Sequence, residues 1–204
     1  MIKVQPDISF PTDKTGQLEQ YHQLLLKWQK TLNLVGPATL DTAWDRHFLD
    51  SVQLAPLLPA HAKTLFDLGS GAGFPGMVLA IMRPELGVHL VESDQRKATF
   101  LRNVSRETGC RVTVHDVRIE DMQAQPVPDV VTARALAALD QLLDWCMKWA
   151  EANPELVLIL PKGERAEDEI AKAQTYYNFV VDTHASMTAP EARILRVSQL
   201  SRRG

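Results

Sequence analysis

Residues Leu65 to Gly76 read LFDLGSGAGFPG, four glycines within eight positions directly after a short apolar run. Glycine belongs where the backbone must take positive φ, or where a partner approaches closer than a Cβ permits. A strand that runs into such a loop and then into a helix holds a cofactor, and two different cofactors use that arrangement. Gly71, Gly73 and Gly76 spell G-x-G-x-x-G, and Glu92 follows at the distance where a dinucleotide fingerprint places its ribose acid.

Three details point away from a dinucleotide. A pyrophosphate rests on free backbone N–H groups at the helix start, and Pro75 sits there with none to give. Gly69 adds a glycine ahead of the fingerprint, and Asp67 places an acid at the strand end. The pattern apolar-Asp-Leu-Gly-x-Gly-x-Gly suits S-adenosylmethionine, which carries a sulfonium, an amino group and a carboxylate but no phosphate. Bare backbone at Gly69, Ser70 and Gly71 lets that ligand lie flat on the loop, while Asp67 either orders the loop or faces the methionyl amine. Glu92, beside Ser93 at the end of the next strand, would accept hydrogen bonds from both ribose hydroxyls. Ile119 and Glu120 stand after the third strand, placed to flank an adenine ring and cap its exocyclic amine; alone, Ile119 reads as a core residue.

These residues need elements to hold them. From Gly16 to Leu34 the apolar residues Leu18, Tyr21, Leu24, Leu25, Trp28 and Leu32 recur at three and four, the period of an amphipathic helix that Gly36 and Pro37 end. A second helix is expected over TLDTAWDRHFLDSVQLAPLL, with Trp44, Phe48, Leu49 and Val52 on one side before Pro56 and Pro59. After Lys63 come seven β-rich runs: TLFDL, GVHLVES, CRVTVHD, PDVVTARAL, ELVLILPKG, YNFVVDTHA and ARILRVSQL. Helices are expected to start near Pro75, Asp94, Arg118 and Leu139, and after Gly163. Alternation of this kind predicts right-handed βαβ units and an α/β fold with a mostly parallel seven-stranded sheet flanked by helices. The last two runs, separated by SMTAPE, should form a hairpin at one edge. The chain divides into a helical extension over 1–60 packed on a core over 61–204.

Composition bounds the function. An apolar fraction of 45% and a charged fraction of 23% belong to a soluble globular protein without a membrane span. MIKVQPDISF carries no signal pattern, so a cytoplasmic location is expected. Cys110 and Cys146 sit in no CxxC pattern and are read as buried reduced thiols, with no metal site. A net charge of −3 argues against coating nucleic acid by charge alone, although Arg96, Lys97, Arg102, Arg106, Arg111 and Arg118 form a basic cluster.

With RHFLDS at Arg46 to Ser51, DLGSGAGFPG at Asp67 to Gly76, VESDQRKATFLR at Val91 to Arg102, RIED at Arg118 to Asp121, TARALA at Thr132 to Ala137 and LPKG at Leu160 to Gly163, the chain resembles the glucose-inhibited division protein B family. These are the RsmG-type methyltransferases of small-subunit ribosomal RNA, of the Rossmann-like class I fold. The resemblance implies methyl transfer from S-adenosylmethionine to nitrogen 7 of a guanine in the 530 loop of 16S rRNA. The expected partner is 16S rRNA within a small-subunit particle, with no DNA, no membrane and a monomeric enzyme. Carried over by position, Gly69, Phe74, Ile119, Glu120 and Arg134 contact the cofactor. Two departures preserve the chemistry: threonine stands where serine often precedes the arginine, and Glu92 where relatives carry aspartate.

Nitrogen 7 of guanine has a free lone pair and no proton, so attack on the sulfonium methyl needs no general base. The place after the fourth strand holds TARALA rather than the Asn/Asp-Pro-Pro-aromatic motif of adenine-amine enzymes, and neither cysteine follows a proline as a carbon-5 nucleophile would. What remains for the protein is positioning and electrostatics. Arg134, Lys162 and His47 are the candidates for substrate positioning, Lys162 through an RNA phosphate, and His47, Arg46 and Asp50 could equally close the extension onto the core. Two other classes remain open: a nicotinamide oxidoreductase, and a non-catalytic RNA-binding module on the same fold.

Overall fold

The computed structural model describes residues 10–204. The first nine residues of the extension, and with them most of the stretch read for a targeting signal, lie outside the described residues. Helix α1 (Thr15–Gln29) buries Leu18, Tyr21 and Leu25, with Leu24 and Trp28 packed at the margin of the same core. It ends five residues before Leu34 because the Gln29 side chain takes over as acceptor: its Oε1 receives the backbone N–H groups of Leu34 (2.9 Å) and Val35 (3.1 Å).

The second helix expected over 39–58 is shorter and irregular: one continuous helical run over 43–52, π-helical through its middle, with separate 3-10 turns before and after it. A 3-10 turn at Pro37–Thr39 leads to a π-helical turn at Trp44–Leu49, then to α2 (Asp50–Val52) and a further 3-10 turn at Ala55–Leu57. Aromatic packing explains the widened turn, which seats Phe48 among Trp44 (4.6 Å between centroids), Tyr21 (5.1 Å) and Phe74 (5.1 Å). Such wide turns are frequent at functional sites.

The rest alternates as expected: β1 (Thr64–Leu68), α3 (Gly76–Met82), β2 (Gly87–Val91), α4 (Gln95–Thr108), β3 (Val112–His115), β4 (Val130–Ala133), α5 (Leu139–Ala152), β5 (Val157–Lys162), α6 (Ala166–Ala173), β6 (Tyr177–Ala185) and β7 (Arg193–Arg202). The strands form one sheet in the order β3-β2-β1-β4-β5-β7-β6. The first five are parallel, while β7 runs antiparallel to both β5 and β6, the edge hairpin read from SMTAPE. Strand order reverses between β1 and β4, and the crevice at their carboxyl ends is where such sheets bind ligands.

No helix starts near Arg118. Ile119–Asp121 makes only a 3-10 turn, after which Met122 is extended. Lys148 on α5 donates to the carbonyls of Ile119 (3.3 Å) and Met122 (2.6 Å), and Pro126 and Pro128 follow, so the backbone acceptors a helix would use are taken and two donors are missing.

Two apolar layers cover the sheet, one from α1, α3, α4 and the extension, the other from α5 and α6 around the fully buried Trp149. Cys110 and Cys146 are free and buried, and burial pushes their thiols up to about 11 and about 12, which leaves them inert. Tyr21 ties the extension to the core, its buried hydroxyl donating to the Ala72 carbonyl in the glycine loop. Tyr21→Phe strands that carbonyl, so denaturant unfolding should show a loss of about 1–3 kcal/mol at unchanged slope. A variant as stable as the parent would mean the loop carbonyl finds water.

Candidate cofactor and substrate site

The site is built on the carboxyl end of β1. Register places Asp67 beside Thr132 of β4, and the Thr132 hydroxyl donates to Asp67 Oδ1 at 2.8 Å. The Gly76 N–H donates to Oδ2 at 3.2 Å, and the Ser70 hydroxyl donates to the Asp67 carbonyl at 2.8 Å. Asp67 is fully buried with both oxygens engaged, so of its two expected roles the geometry serves loop ordering; it faces no ligand space. Gly69, Gly71 and Gly73 all take positive φ (63°, 56° and 96°). Glu92 closes the loop from the β2 side: its Oε2 accepts the Gly71 N–H and its Oε1 accepts the Asp94 N–H, both at 2.8 Å.

Two cavities flank the glycine loop, and Gly69 and Gly71 line both. The smaller, about 360 Å³, brings Glu92, Ser93, Ile119 and Glu120 together in one wall. Lys97, Leu136 and Trp145 also line it. Sequence reasoning missed these three: Lys97 was visible only as a member of the basic cluster, and Trp145 lies on a helix far along the chain. Leu136 is turned toward this cavity because Ala135 before it adopts φ 50°.

The larger cavity, about 510 Å³, contains Ser70, Phe74, Arg46, His47, Asp50, Arg134, Lys162 and Glu169. Phe74 and Arg134 therefore line the opposite side of the loop from Ile119 and Glu120, in the cavity they share with Gly69, Ser70 and Gly71. The physical reason is packing: Phe74 stacks between Tyr21 and His47, each 5.2 Å away, and the Arg134 guanidinium lies 5.3 Å from its ring centre. Arg134 Nη1 donates to Asp50 Oδ2 at 3.0 Å and to the Arg46 carbonyl at 3.1 Å, and Nη2 donates to His47 Nδ1 at 3.2 Å. The extension thus closes onto the core through Arg134.

Those bonds fix the His47 tautomer. With Nδ1 accepting, Nε2 carries the proton and donates to the Thr39 hydroxyl at 2.8 Å, which in turn donates to the Gly36 carbonyl at 2.8 Å. Burial, and then the Arg134 charge, push the imidazole down to about 4, so His47 is neutral at physiological pH.

Lys162 needs correction. It is 9% exposed, and its ammonium donates to the Ala137 carbonyl (2.7 Å) and to Glu169 Oε2 (2.8 Å). The same Glu169 oxygen accepts the Leu139 N–H at 2.7 Å, so the pair anchors the segment after β4 rather than waiting for a phosphate. In the basic cluster, Arg102 pairs with Asp116 (3.2 Å), Arg106 with Glu107 (2.9 Å), and Arg96 donates to the Thr31 carbonyl (2.7 Å). Among the described residues no group of three or more His, Cys, Asp or Glu could hold a metal ion, and no helix is long and apolar enough to cross a membrane.

Two buried groups give this site an unusual pH signature. Burial raises Asp67 from 3.8 to about 6, so it binds its proton more tightly when folded; its contribution favours the fold below pH 3.8 and is lost as pH rises through about 6. His47 is lowered from 6.5 to about 4, so its contribution is present above 6.5 and lost as pH falls through about 4. The two oppose each other over the same window. In Asp67→Asn the His47 contribution stands alone, and between pH 6.5 and 4 this variant should lose about 3 kcal/mol more than the parent in denaturant unfolding. Parallel pH dependence in the two chains would mean that Asp67 titrates like a free carboxylate.

Comparison with known proteins agrees with this geometry. The family model described as GidB, rRNA small subunit methyltransferase G, matches residues 14–195. The chain is 45% identical over 197 residues to the ribosomal RNA small subunit methyltransferase G of Rhodospirillum rubrum, covering 96% of each chain. It is 49% identical over 188 residues to that of Paramagnetospirillum magneticum, covering 91% of this chain and 89% of the relative. Among solved structures, the mitomycin 7-O-methyltransferase MmcR superposes with a TM-score of 0.62 at 15% identity, over 90% of this chain and 67% of that one. Magnesium protoporphyrin IX methyltransferase from Synechocystis PCC 6803, with bound SAH, gives 0.60 at 12% identity, over 91% and 95%. At these identities the structural likeness is one of fold, the Rossmann-like methyltransferase sheet. The sequence matches carry the family: their extent leaves no place for the oxidoreductase reading, and this chain belongs to the rRNA small subunit methyltransferase G (GidB) family.

Proposed function

We propose that this protein transfers the methyl group of S-adenosylmethionine to nitrogen 7 of a guanine in the 530 loop of 16S rRNA, acting as a monomer on a small-subunit particle. The smaller cavity would hold the nucleoside half of the cofactor, with the Glu92 carboxylate toward the ribose diol and Ile119 and Glu120 toward the adenine. When bound, the cofactor supplies an electrophilic methyl group. Gly69 and Gly71 line both cavities, so a cofactor held along the loop would lie beside the substrate cavity.

One observation supports an acceptor that, like nitrogen 7, needs no base. The three ionisable side chains that could act as a base in the larger cavity are all held by cations: His47 Nδ1 and Asp50 by Arg134, and Glu169 by Lys162. Such a cavity suits an acceptor that brings its own lone pair and has no proton to lose. The protein's contribution is then to orient the guanine beside Phe74 and Arg134 and to exclude water.

Methyl transfer from radiolabelled cofactor to small-subunit particles lacking the modification, followed by nucleoside analysis, tests the reading. Label should appear in 7-methylguanosine. Label in another nucleoside overturns the acceptor assignment, and cofactor-independent RNA binding with no transfer would favour the non-catalytic module.

A further inference from the structure

We infer that Asp50 is a positioning residue for this reaction, one carboxylate that fixes both the Arg134 guanidinium and the loop over 186–192 around the substrate cavity. The inference rests on the reaction proposed for that cavity. Asp50 belongs to the extension, Arg134 follows β4, and Thr188 lies in the β6–β7 connection, so three separate stretches of chain meet at one side chain. Oδ2 accepts from Arg134 Nη1 at 3.0 Å. Oδ1 accepts from the Thr188 hydroxyl at 2.6 Å and from Gln53 Nε2 at 2.9 Å. Gln53 is itself fully buried, and its Oε1 accepts the Met187 N–H at 2.8 Å, so the loop is bound at consecutive residues.

The pair is sheltered, with side-chain exposures of 19% for Arg134 and 16% for Asp50, so water and salt screen it little. Asp50 is the anion in the guanidinium's shell; the other partners are the Arg46 carbonyl and the neutral imidazole of His47. Asparagine at this position would turn an amide donor toward either Arg134 or Thr188. The guanidinium would then lose its charged anchor over Phe74 and the wall of the cavity would loosen. Where catalysis is positioning, a displacement of about 1 Å costs on the order of a hundredfold. Folding is secured elsewhere, because the extension is also held by the Tyr21 hydroxyl on Ala72 and by Gln17 on the Thr108 carbonyl.

The test compares the full chain with Asp50→Asn and Asp50→Glu. Asp50→Asn should lower the single-turnover rate constant at saturating cofactor and RNA by about 30-fold or more. S-adenosylmethionine affinity should stay within about threefold of the parent, because the nucleoside cavity lies across the loop. Asp50→Glu, which keeps the charge, should recover part of the rate. Combining Asp50→Asn with Arg134→Met should be no slower than the slower single variant, since both remove one unit. Amide exchange at Met187 should accelerate about tenfold in Asp50→Asn, a readout that stands even if the RNA assay shows no transfer by the parent chain, which would overturn the reaction and not the anchoring. An unchanged rate, additive losses in the double variant, or a loss explained wholly by a smaller folded fraction would each overturn the inference, as would unchanged Met187 exchange.

Discussion

A single methyl group added at Gly76 is expected to destabilise this fold by about 3 kcal/mol and to weaken cofactor binding at least tenfold. A Cβ built there lies 2.5 Å from Leu90 Cδ2, 2.6 Å from Asp67 Cβ and 2.8 Å from Asp67 Oδ2. Asp67 cannot yield, because β1 is paired on both sides, to β2 and to β4. Helix α3 must therefore lift from the sheet, which breaks the Gly76–Asp67 hydrogen bond and releases the loop that separates the two cavities. Gly16→Ala is the matched control: nothing lies within 4 Å of its Cβ, and inside α1 alanine should stabilise by about 0.5–1 kcal/mol. Denaturant unfolding and calorimetric titration of S-adenosylmethionine read both effects. A Gly76→Ala chain as stable as the parent would mean that the strand-to-helix approach is looser than the structure has it.

The second large effect falls on affinity. Glu92→Gln should weaken S-adenosylmethionine by roughly 1.5–3 kcal/mol, ten- to more than a hundredfold. The carboxylate already receives the Gly71 and Asp94 N–H groups, one on each oxygen, and the proposed ribose contact adds donors to the same two atoms. An amide offers one acceptor only, so its nitrogen would face either a backbone N–H or a ribose hydroxyl. Calorimetry is decisive here: affinity equal to the parent's would remove Glu92 from the cofactor site.

Much of this was legible in the chain because local chemistry and tertiary placement agree there. The glycine loop, the strand-end acid and the β-rich runs that alternate with helices all appear where the pattern puts them, since a central parallel strand reads as apolar in any context. The helix expected at Arg118 was not legible as a turn, because the agent that ends it, Lys148, is thirty residues away in sequence. The second helix is widened to a π-helical turn at Trp44–Leu49 where rings from other parts of the chain pack on it, which no local period records. The partners of Lys162 and Arg134 were not legible for a related reason: a cation at a strand end looks free until Glu169 and Asp50 are brought to it by the fold. For Asp67 the sequence leaves two roles open, and only its complete burial separates ordering the loop from touching the ligand.

The central claim is that the protein positions two reactants and removes no proton. Single-turnover methylation of the small-subunit particle, followed against pH at saturating cofactor, tests it most directly, because product release then does not mask the chemical step. The two site groups whose ionisation is displaced, His47 at about 4 and Asp67 at about 6, both change charge below neutrality. The rate constant should therefore be nearly flat from about pH 7 to 8.5, and His47→Gln should keep that flat profile. A rate that climbs about tenfold per pH unit across that range, or a His47→Gln chain that loses the chemical step with cofactor and RNA affinities unchanged, would reveal a general base and contradict the account.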